Sequence, residues 1–245
     1  MKLLKPLQMK KNTPNLITLF NLLSGILSIV SLYQGSVEWA VYFILMAAIF
    51  DFMDGAAARL LKASSEMGKQ LDSLADLISF GLAPGFIMFF LLKTSQPLPE
   101  IVFNGYSVIP FFAFLIPLLS AWRLAKFNID TRQEEQFIGL PTPASALMVA
   151  SLGLINQNFF SSQNWMTNLS GNSYVLLGLT LILSVLLVAE IPLLSLKFKN
   201  FRWKENQSRF LLILISLVLL VWLKISAIPL IIVSYVLISL LWKKK

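Results

Sequence analysis

The 245-residue chain contains no cysteine and no histidine. Zinc sites built from the usual ligands, thiol nucleophiles and histidine bases are therefore excluded. Charged residues are also scarce and make up 13% of the chain. Any metal chemistry must use oxygen ligands, which favour hard cations such as Mg²⁺, Mn²⁺ or Ca²⁺.

Apolar residues make up 57% of the chain, and the mean hydropathy is +0.75. The apolar runs of about 17 to 25 residues match the thickness of a bilayer core. They are continuously apolar, as in residues 176–189, and lack the alternation of barrel strands. We therefore predict an all-α, polytopic bundle of transmembrane helices with eight spans, at residues 16–33, 38–61, 72–93, 107–127, 143–161, 173–196, 209–223 and 226–242.

Two local patterns add detail to these spans. Thr13-Pro14-Asn15 is typical of a helix start and predicts that the first helix begins there. Glu190-Ile191-Pro192 is predicted to lie inside the sixth span, as an acid beside a helix kink, and no function is assigned to it.

The net charge of +8 follows from how the basic residues are distributed between the predicted spans. Eighteen Lys and Arg residues fall on the side of the N-terminus, and only Lys93 and Lys224 fall opposite. This bias predicts an integral protein of the inner (cytoplasmic) membrane with both termini in the cytoplasm. The charges are expected to attract anionic membrane lipids, and no nucleic acid partner is needed to explain them.

Four carboxylates lie where the hydropathy predicts membrane. Asp51 and Asp54 are spaced i, i+3, whereas Asp72 and Asp76 are spaced i, i+4, so each pair occupies one helix face. An intramembrane Asp costs about 2.5 to 3.5 kcal/mol and usually marks an ion or substrate site. Two such faces could share a divalent cation, Mg²⁺ or Mn²⁺, at the cytoplasmic side.

The full pattern is Asp51-x-x-Asp54-Gly55-x-x-Ala58-Arg59, then eight residues, then Gly68-x-x-x-Asp72-x-x-x-Asp76. It resembles the motif of the CDP-alcohol phosphotransferase family. The resemblance implies a six-helix membrane domain over residues 13–200, after a basic cytoplasmic segment at 1–12 and before an additional C-terminal hairpin at 201–245. It also implies that Asp51, Asp54 and Asp72 hold metal, and that Asp76 is both a metal partner and the catalytic base.

Further residues are candidates to bind CDP-diacylglycerol, the lipid substrate that the resemblance implies. They are Asn15, Thr18 and Asn21 on one face of the first helix, together with Gly55, Ala58, Arg59 and Gly68. Each has an alternative interpretation. Small and polar residues also line helix contacts in membranes, and a lone Arg at a cytoplasmic helix end also fixes topology.

Three segments resemble the phosphatidylserine synthase branch of the family: 71–84 (LDSLADLISFGLAP), 123–128 (RLAKFN) and 137–145 (FIGLPTPAS). The resemblance implies phosphatidyl transfer from CDP-diacylglycerol to L-serine, with CMP as the second product. Arg123 and Lys126 would then hold the serine, unless they are only topological charges.

Several alternatives remain open. The acceptor could be glycerol 3-phosphate or inositol, and the acids could serve an intramembrane prenyltransferase or a cation-coupled transporter. The residues at 55, 58, 59 and 68 argue against the prenyltransferase, and the lack of an internal repeat argues against the transporter. The sequence is also compatible with a homodimer.

Overall fold

A computed structural model describes residues 6–97, 101–130, 137–157, 165–194 and 202–242. In these ranges the chain forms nine helices: α1 Pro6–Tyr33, α2 Val37–Leu60, α3 Glu66–Thr94, α4 Ile109–Ile129, α5 Thr142–Asn156, α6 Trp165–Ser170, α7 Ser173–Val188, α8 Trp203–Leu223 and α9 Ala227–Leu241. Two short antiparallel strand pairs accompany them, β1 Val102–Phe103 with β2 Tyr106–Ser107, and β3 Phe137–Ile138 with β4 Pro192–Leu193. The predicted all-helical fold class is confirmed.

Five helices are long and apolar enough to cross a membrane, namely α1 from Asn12, α2, α3, α4 and α8 from Asn206. Helices α5, α7 and α9 are apolar but shorter. The protein is therefore an integral membrane protein, and each predicted span overlaps one of these eight helices. Residues 1–5 of the predicted basic segment, 158–161 of the fifth span and 195–196 of the sixth lie outside the described residues.

The predicted start of α1 is wrong. The helix is already formed at Pro6, so that Pro14 lies inside it. A proline inside a helix removes one backbone hydrogen bond but leaves its own carbonyl as an acceptor. Here the Thr18 Oγ1 lies 3.1 Å from the Pro14 carbonyl oxygen. Thr13-Pro14-Asn15, a pattern typical of a first turn, therefore lies in the interior of a longer helix.

The predicted end of the sixth span, at residue 196, is also wrong because α7 ends at Val188. The Leu140 N–H donates to the Leu186 carbonyl at 2.8 Å, and the Gly139 N–H donates to the Ile191 carbonyl at 2.9 Å. These bonds draw the chain out of the helix into β4. Glu190 therefore lies exposed at the surface, beyond the end of α7, instead of beside a kink within a helix.

Gly139 permits this arrangement. Its φ is +74°, a conformation that favours glycine, and a Cβ there would lie 2.9 Å from the Leu187 carbonyl oxygen. The backbone after β3 can thus lie directly against the end of α7.

Helix α3 contains a π-helical turn at Leu77–Leu82, directly after Asp76. Within this turn the Ser79 hydroxyl donates to the Asn21 carbonyl at 2.9 Å. A Cβ at Gly25 would lie 2.5 Å from Ser79 Oγ. The backbones of α1 and α3 therefore approach closely just beyond the acids.

Hydrogen bonds between separate segments define the two ends of the bundle. At one end Lys69 Nζ on α3 donates to the Asn128 carbonyl on α4 at 3.1 Å. At the other end the Gln96 N–H donates to the Gly171 carbonyl at 2.9 Å. Between them lies an apolar core that includes Ile44, Phe80, Ile87, Met88, Leu154 and Leu183.

Candidate active site

Three of the four motif carboxylates meet near the end of the bundle where Lys69 lies. Asp51 projects from α2, and Asp72 and Asp76 project from α3. One oxygen of each lies within 4.8 Å of the other two, and we call this group the carboxylate cluster. Among the described residues, no Lys or Arg forms an ion pair with any of the three. Like charges held this close repel each other unless protons or a cation are shared.

The fourth carboxylate, Asp54, faces α1. Its side chain is buried, and its Oδ2 accepts a hydrogen bond of 2.6 Å from the Thr18 hydroxyl. One turn further along α1, Asn21 Nδ2 donates to Asp76 Oδ1 at 3.2 Å. The polar face of α1 thus contacts one acid from α2 and one from α3. Asn21 Oδ1 is itself buried and has no hydrogen-bond partner among the described residues.

A cavity of about 420 Å³ opens beside these acids. Its wall is formed by α1, by the end of α2 and by the start of α3. The lining residues are Pro14, Asn15, Thr18, Asp54, Gly55, Ala58, Ala63, Ser64, Ser65, Glu66, Gly68, Lys69 and Asp72. Five of the seven residues predicted to bind CDP-diacylglycerol belong to this wall.

The other two residues of that prediction lie elsewhere. Asn21 sits deeper, against Asp76. Arg59 is exposed, and its Nη1 lies 3.5 Å from the position that a Cβ on Gly55 would take. The Arg59 guanidinium therefore reaches back over Gly55, which lines the cavity.

Gly68 brings α3 close to α1. A Cβ at this position would lie 3.0 Å from Asn15 Oδ1 and 3.1 Å from Ser65 Oγ. Only a residue without a side chain leaves both groups undisturbed, which gives a physical reason for glycine in the motif.

Sequence reasoning missed part of the cavity wall, at Ser64, Ser65, Glu66 and Lys69. These residues lie in or just before the first turn of α3, which starts six residues earlier than predicted. Ser65 is the N-cap of α3, since its hydroxyl accepts the Gly68 N–H at 3.0 Å. A Ser followed by an acidic first turn is a helix-start signal that could have placed this wall.

Arg123 and Lys126 lie near one another on α4 but in different surroundings. Arg123 is buried, and its guanidinium interacts electrostatically with Asp76 and with the Tyr235 hydroxyl on α9. Its Nε has no hydrogen-bond partner in the part of the chain that the structure describes. Lys126 is at the exposed edge, where its Nζ forms an ion pair of 2.5 Å with Glu190 Oε1.

A helical membrane bundle that holds a carboxylate cluster next to a polar cavity is suited to metal-dependent chemistry on a phosphorylated lipid. The chain belongs to the CDP-alcohol phosphatidyltransferase family, whose model matches residues 11–186. The family recognised from the motif is thus confirmed.

Individual relatives are similar over much of the chain. A CDP-diacylglycerol–serine O-phosphatidyltransferase of Helicobacter pylori (strain J99) is 33% identical over 209 residues, which cover 83% of this chain and 79% of that one. The enzyme of the same name from Bacillus subtilis is 37% identical over 139 residues, 57% of this chain and 73% of the relative. One from Saccharomyces cerevisiae is 37% identical over 152 residues, 56% and 51% of the two chains.

The family uses a divalent metal, and the residues present fit one. The ligands offered by the carboxylate cluster are all oxygen, as hard divalent cations prefer. The buried Asn21 Oδ1, which no described residue contacts by a hydrogen bond, adds a further oxygen acceptor next to Asp76.

Proposed function

We propose that this protein transfers the phosphatidyl group of CDP-diacylglycerol to the hydroxyl of L-serine, which yields phosphatidylserine and CMP. The observation that carries the proposal is the position of the carboxylate cluster beside a cavity lined by the motif residues. The similarity to serine O-phosphatidyltransferases over most of the chain supports serine as the acceptor.

We propose that the nucleotide and diphosphate of CDP-diacylglycerol occupy the cavity. Asn15 and Thr18 would contact it from α1, while Gly55, Ala58 and Gly68 leave room for it at the backbone. Arg59 at the mouth is suited to a phosphate oxygen, because a guanidinium offers two parallel donors. The acyl chains would remain in the surrounding lipid.

Asp51, Asp72 and Asp76 would hold the metal, with Asp54 beside them and fixed by Thr18. When bound, Mg²⁺ or Mn²⁺ would neutralise the diphosphate and the charge that develops on the leaving phosphate. Asn21 fixes the orientation of Asp76 through its amide N–H.

In the transfer step, Asp76 would take the proton from the serine hydroxyl. The serine oxygen then forms a bond to the lipid-linked phosphorus. The bond from that phosphorus to the bridging oxygen breaks, and its electron pair leaves with CMP. Arg123, buried and electrostatically coupled to Asp76, would hold the serine carboxylate, with Lys126 nearer the entrance.

We propose that all eight apolar helices cross the membrane, with α8 and α9 as an additional C-terminal hairpin (201–245) after the 13–200 domain. The 18-to-2 distribution of basic residues supports a cytoplasmic position for both termini and for the site. The proposed location is the inner membrane.

The test uses full-length protein in detergent with CDP-diacylglycerol and Mg²⁺ or Mn²⁺, and it measures CMP release. Serine should outcompete inositol and glycerol 3-phosphate, and a chelator should abolish release until metal is restored. Preference for glycerol 3-phosphate would assign a different acceptor within the family. Full activity without metal would refute the role of the carboxylate cluster. A cation-coupled transporter would release no CMP.

A further inference from the structure

The ion pair between Lys126 and Glu190 lies outside the cavity and the carboxylate cluster. Glu190 follows the end of α7, and its Oε1 lies 2.5 Å from Lys126 Nζ. The side chain of Glu190 is 58% exposed and that of Lys126 is 37% exposed, so that both lie at the protein surface. An exposed pair contributes little to stability, and its position therefore matters more than its strength.

The backbone that follows Glu190 is held by contacts to the β3 segment and to α9. The Ile191 carbonyl accepts the Gly139 N–H at 2.9 Å, and β4 pairs with β3 directly afterwards. The Leu194 N–H then donates to Ser239 Oγ at 3.0 Å, which attaches the segment to α9. Glu190 thus projects from an anchored turn and can serve as a fixed recognition group.

Charged groups lead from this edge to the carboxylate cluster. Lys126 pairs with Glu190, and Arg123 lies one helical turn deeper on the same face of α4. Arg123 in turn interacts with Asp76. From the exposed edge inward the order is Glu190, Lys126, Arg123 and Asp76. One negative and two positive groups therefore precede the proposed base.

We propose that Glu190 is an acceptor-recognition residue that binds the ammonium group of serine. This inference rests on the function proposed above. Serine is a zwitterion and therefore needs one anionic and one cationic partner, and Glu190 and Arg123 supply them. When no acceptor is bound, Lys126 forms the ion pair with Glu190. The ammonium group of serine then takes the place of Lys126 in that pair.

The same arrangement selects against other acceptors. Glycerol 3-phosphate carries only negative charge near its hydroxyls, so Glu190 repels it, whereas inositol is neutral and gains nothing from either charge. Specificity that depends on a repulsive group as well as an attractive one is expected where related substrates differ in charge.

The test measures kcat/KM of Glu190→Gln and of the wild-type protein with two acceptors. These are L-serine and 3-hydroxypropanoate, which is serine without its amino group. Loss of a charge-assisted hydrogen bond should lower kcat/KM for serine about 10- to 100-fold. The value for 3-hydroxypropanoate should stay the same or rise, and KM for CDP-diacylglycerol should not change. Glu190→Asp keeps the charge and should retain most of the preference for serine.

Glu38→Gln is the matched control, because Glu38 lies in the first turn of α2, about 20 Å along the helix from Asp51. It should leave both acceptors unaffected. Equal losses on the two acceptors, in Glu190→Gln and Glu190→Asp alike, would mean that Glu190 only supports the fold and would overturn the inference. So would an unchanged serine value in Glu190→Gln. If the unchanged protein does not use serine at all, the proposed function itself fails.

Discussion

At the scale of single residues, Asp76 has the most complex surroundings in the carboxylate cluster. Its side chain is 9% exposed, accepts a hydrogen bond from Asn21 on α1 and interacts with Arg123 on α4. The chain has no histidine that could take a proton from the acceptor hydroxyl, and Asp76 is the base proposed above.

We expect Asp76→Asn to lower the rate of phosphatidyl transfer by roughly 10²- to 10⁴-fold, as is typical when a general base is lost. Metal-dependent binding of CDP-diacylglycerol should remain measurable, because Asp51, Asp54 and Asp72 are unchanged. CMP release and equilibrium binding of the lipid substrate give the two readouts. Asp51→Asn and Asp72→Asn are the comparison variants, and both should weaken binding. If Asp76→Asn also abolishes binding, Asp76 acts mainly as a metal ligand.

The sequence predicted which residues of α1 face the acids, but it did not predict the ion pair of Glu190. The spacing of Asn15, Thr18 and Asn21 places them on one face of α1, and the structure has that face against the acids. The ion pair of Glu190 was not predictable, because its partner lies 64 residues away and the true end of α7 depends on bonds from Leu140. Local patterns show which residues share a helix face but not which distant segment ends the helix.

At the scale of elements, the site depends on how closely α1 and α3 pack. The two helices approach closely at Gly25 and Ser79, and the same serine donates to the Asn21 carbonyl. This contact holds the polar face of α1 against Asp76.

We expect Gly25→Ala to destabilise the protein by about 1 to 3 kcal/mol, since the new methyl group would force the two helices apart. The physical reason is the 2.5 Å separation between the added Cβ and Ser79 Oγ. The temperature of half-inactivation in detergent measures the effect. Gly178→Ala on α7 is the control, because a Cβ there meets nothing within 4 Å, and it should be neutral or slightly stabilising. Equal stability of the two variants would contradict this account of the packing.

Helix α9 lies beyond the part of the chain that the family model matches, and its Tyr235 interacts with Arg123 on α4. The Tyr235 hydroxyl donates to the Leu194 carbonyl at 3.1 Å, and Tyr235 also interacts electrostatically with Arg123. The C-terminal hairpin thus supports the segment that carries Glu190.

We expect Tyr235→Phe to raise KM for serine about fivefold, as the loss of one neutral hydrogen bond of about 1 kcal/mol allows, and to leave KM for CDP-diacylglycerol unchanged. Initial rates of CMP release at varied serine and varied lipid separate the two constants. Tyr174→Phe, which alters an exposed tyrosine at the start of α7, should change neither. If both constants rise together in Tyr235→Phe, α9 has only a general packing role.

At the scale of the whole molecule, hydropathy located the eight apolar helices of the described residues, because the bilayer imposes both length and composition on a span. It located the ends less well. Helix α3 starts at Glu66, where the residues are polar, and α7 ends early through bonds to another segment. Ends of helices follow from capping and tertiary hydrogen bonds, which an average over apolar residues does not detect.

The orientation of the molecule is testable because the natural chain has no cysteine. Met67→Cys, near the start of α3, should be labelled only from the cytoplasmic side of the membrane. Phe103→Cys, on β1 between α3 and α4, should be labelled only from the other side. Both residues are 72% exposed, so a failure of labelling from one side cannot be explained by burial within the protein. Labelling with a membrane-impermeant maleimide on intact and opened cells distinguishes the sides, and the reverse pattern would overturn the proposed topology.

The π-helical turn at Leu77–Leu82 determines how α3 can vary in length. The Ala83 N–H donates to the Ile78 carbonyl five residues back, which accommodates one residue more than an α-helical turn would. Elsewhere in α3 the loss of one residue would rotate everything beyond it by about 100°. Within the turn, the loss could be absorbed by a return to regular α-helix, while Asp76 and the buried residues from Ala83 onward keep their directions. A deletion of one residue of α3 that is compatible with activity should therefore be confined to these six residues.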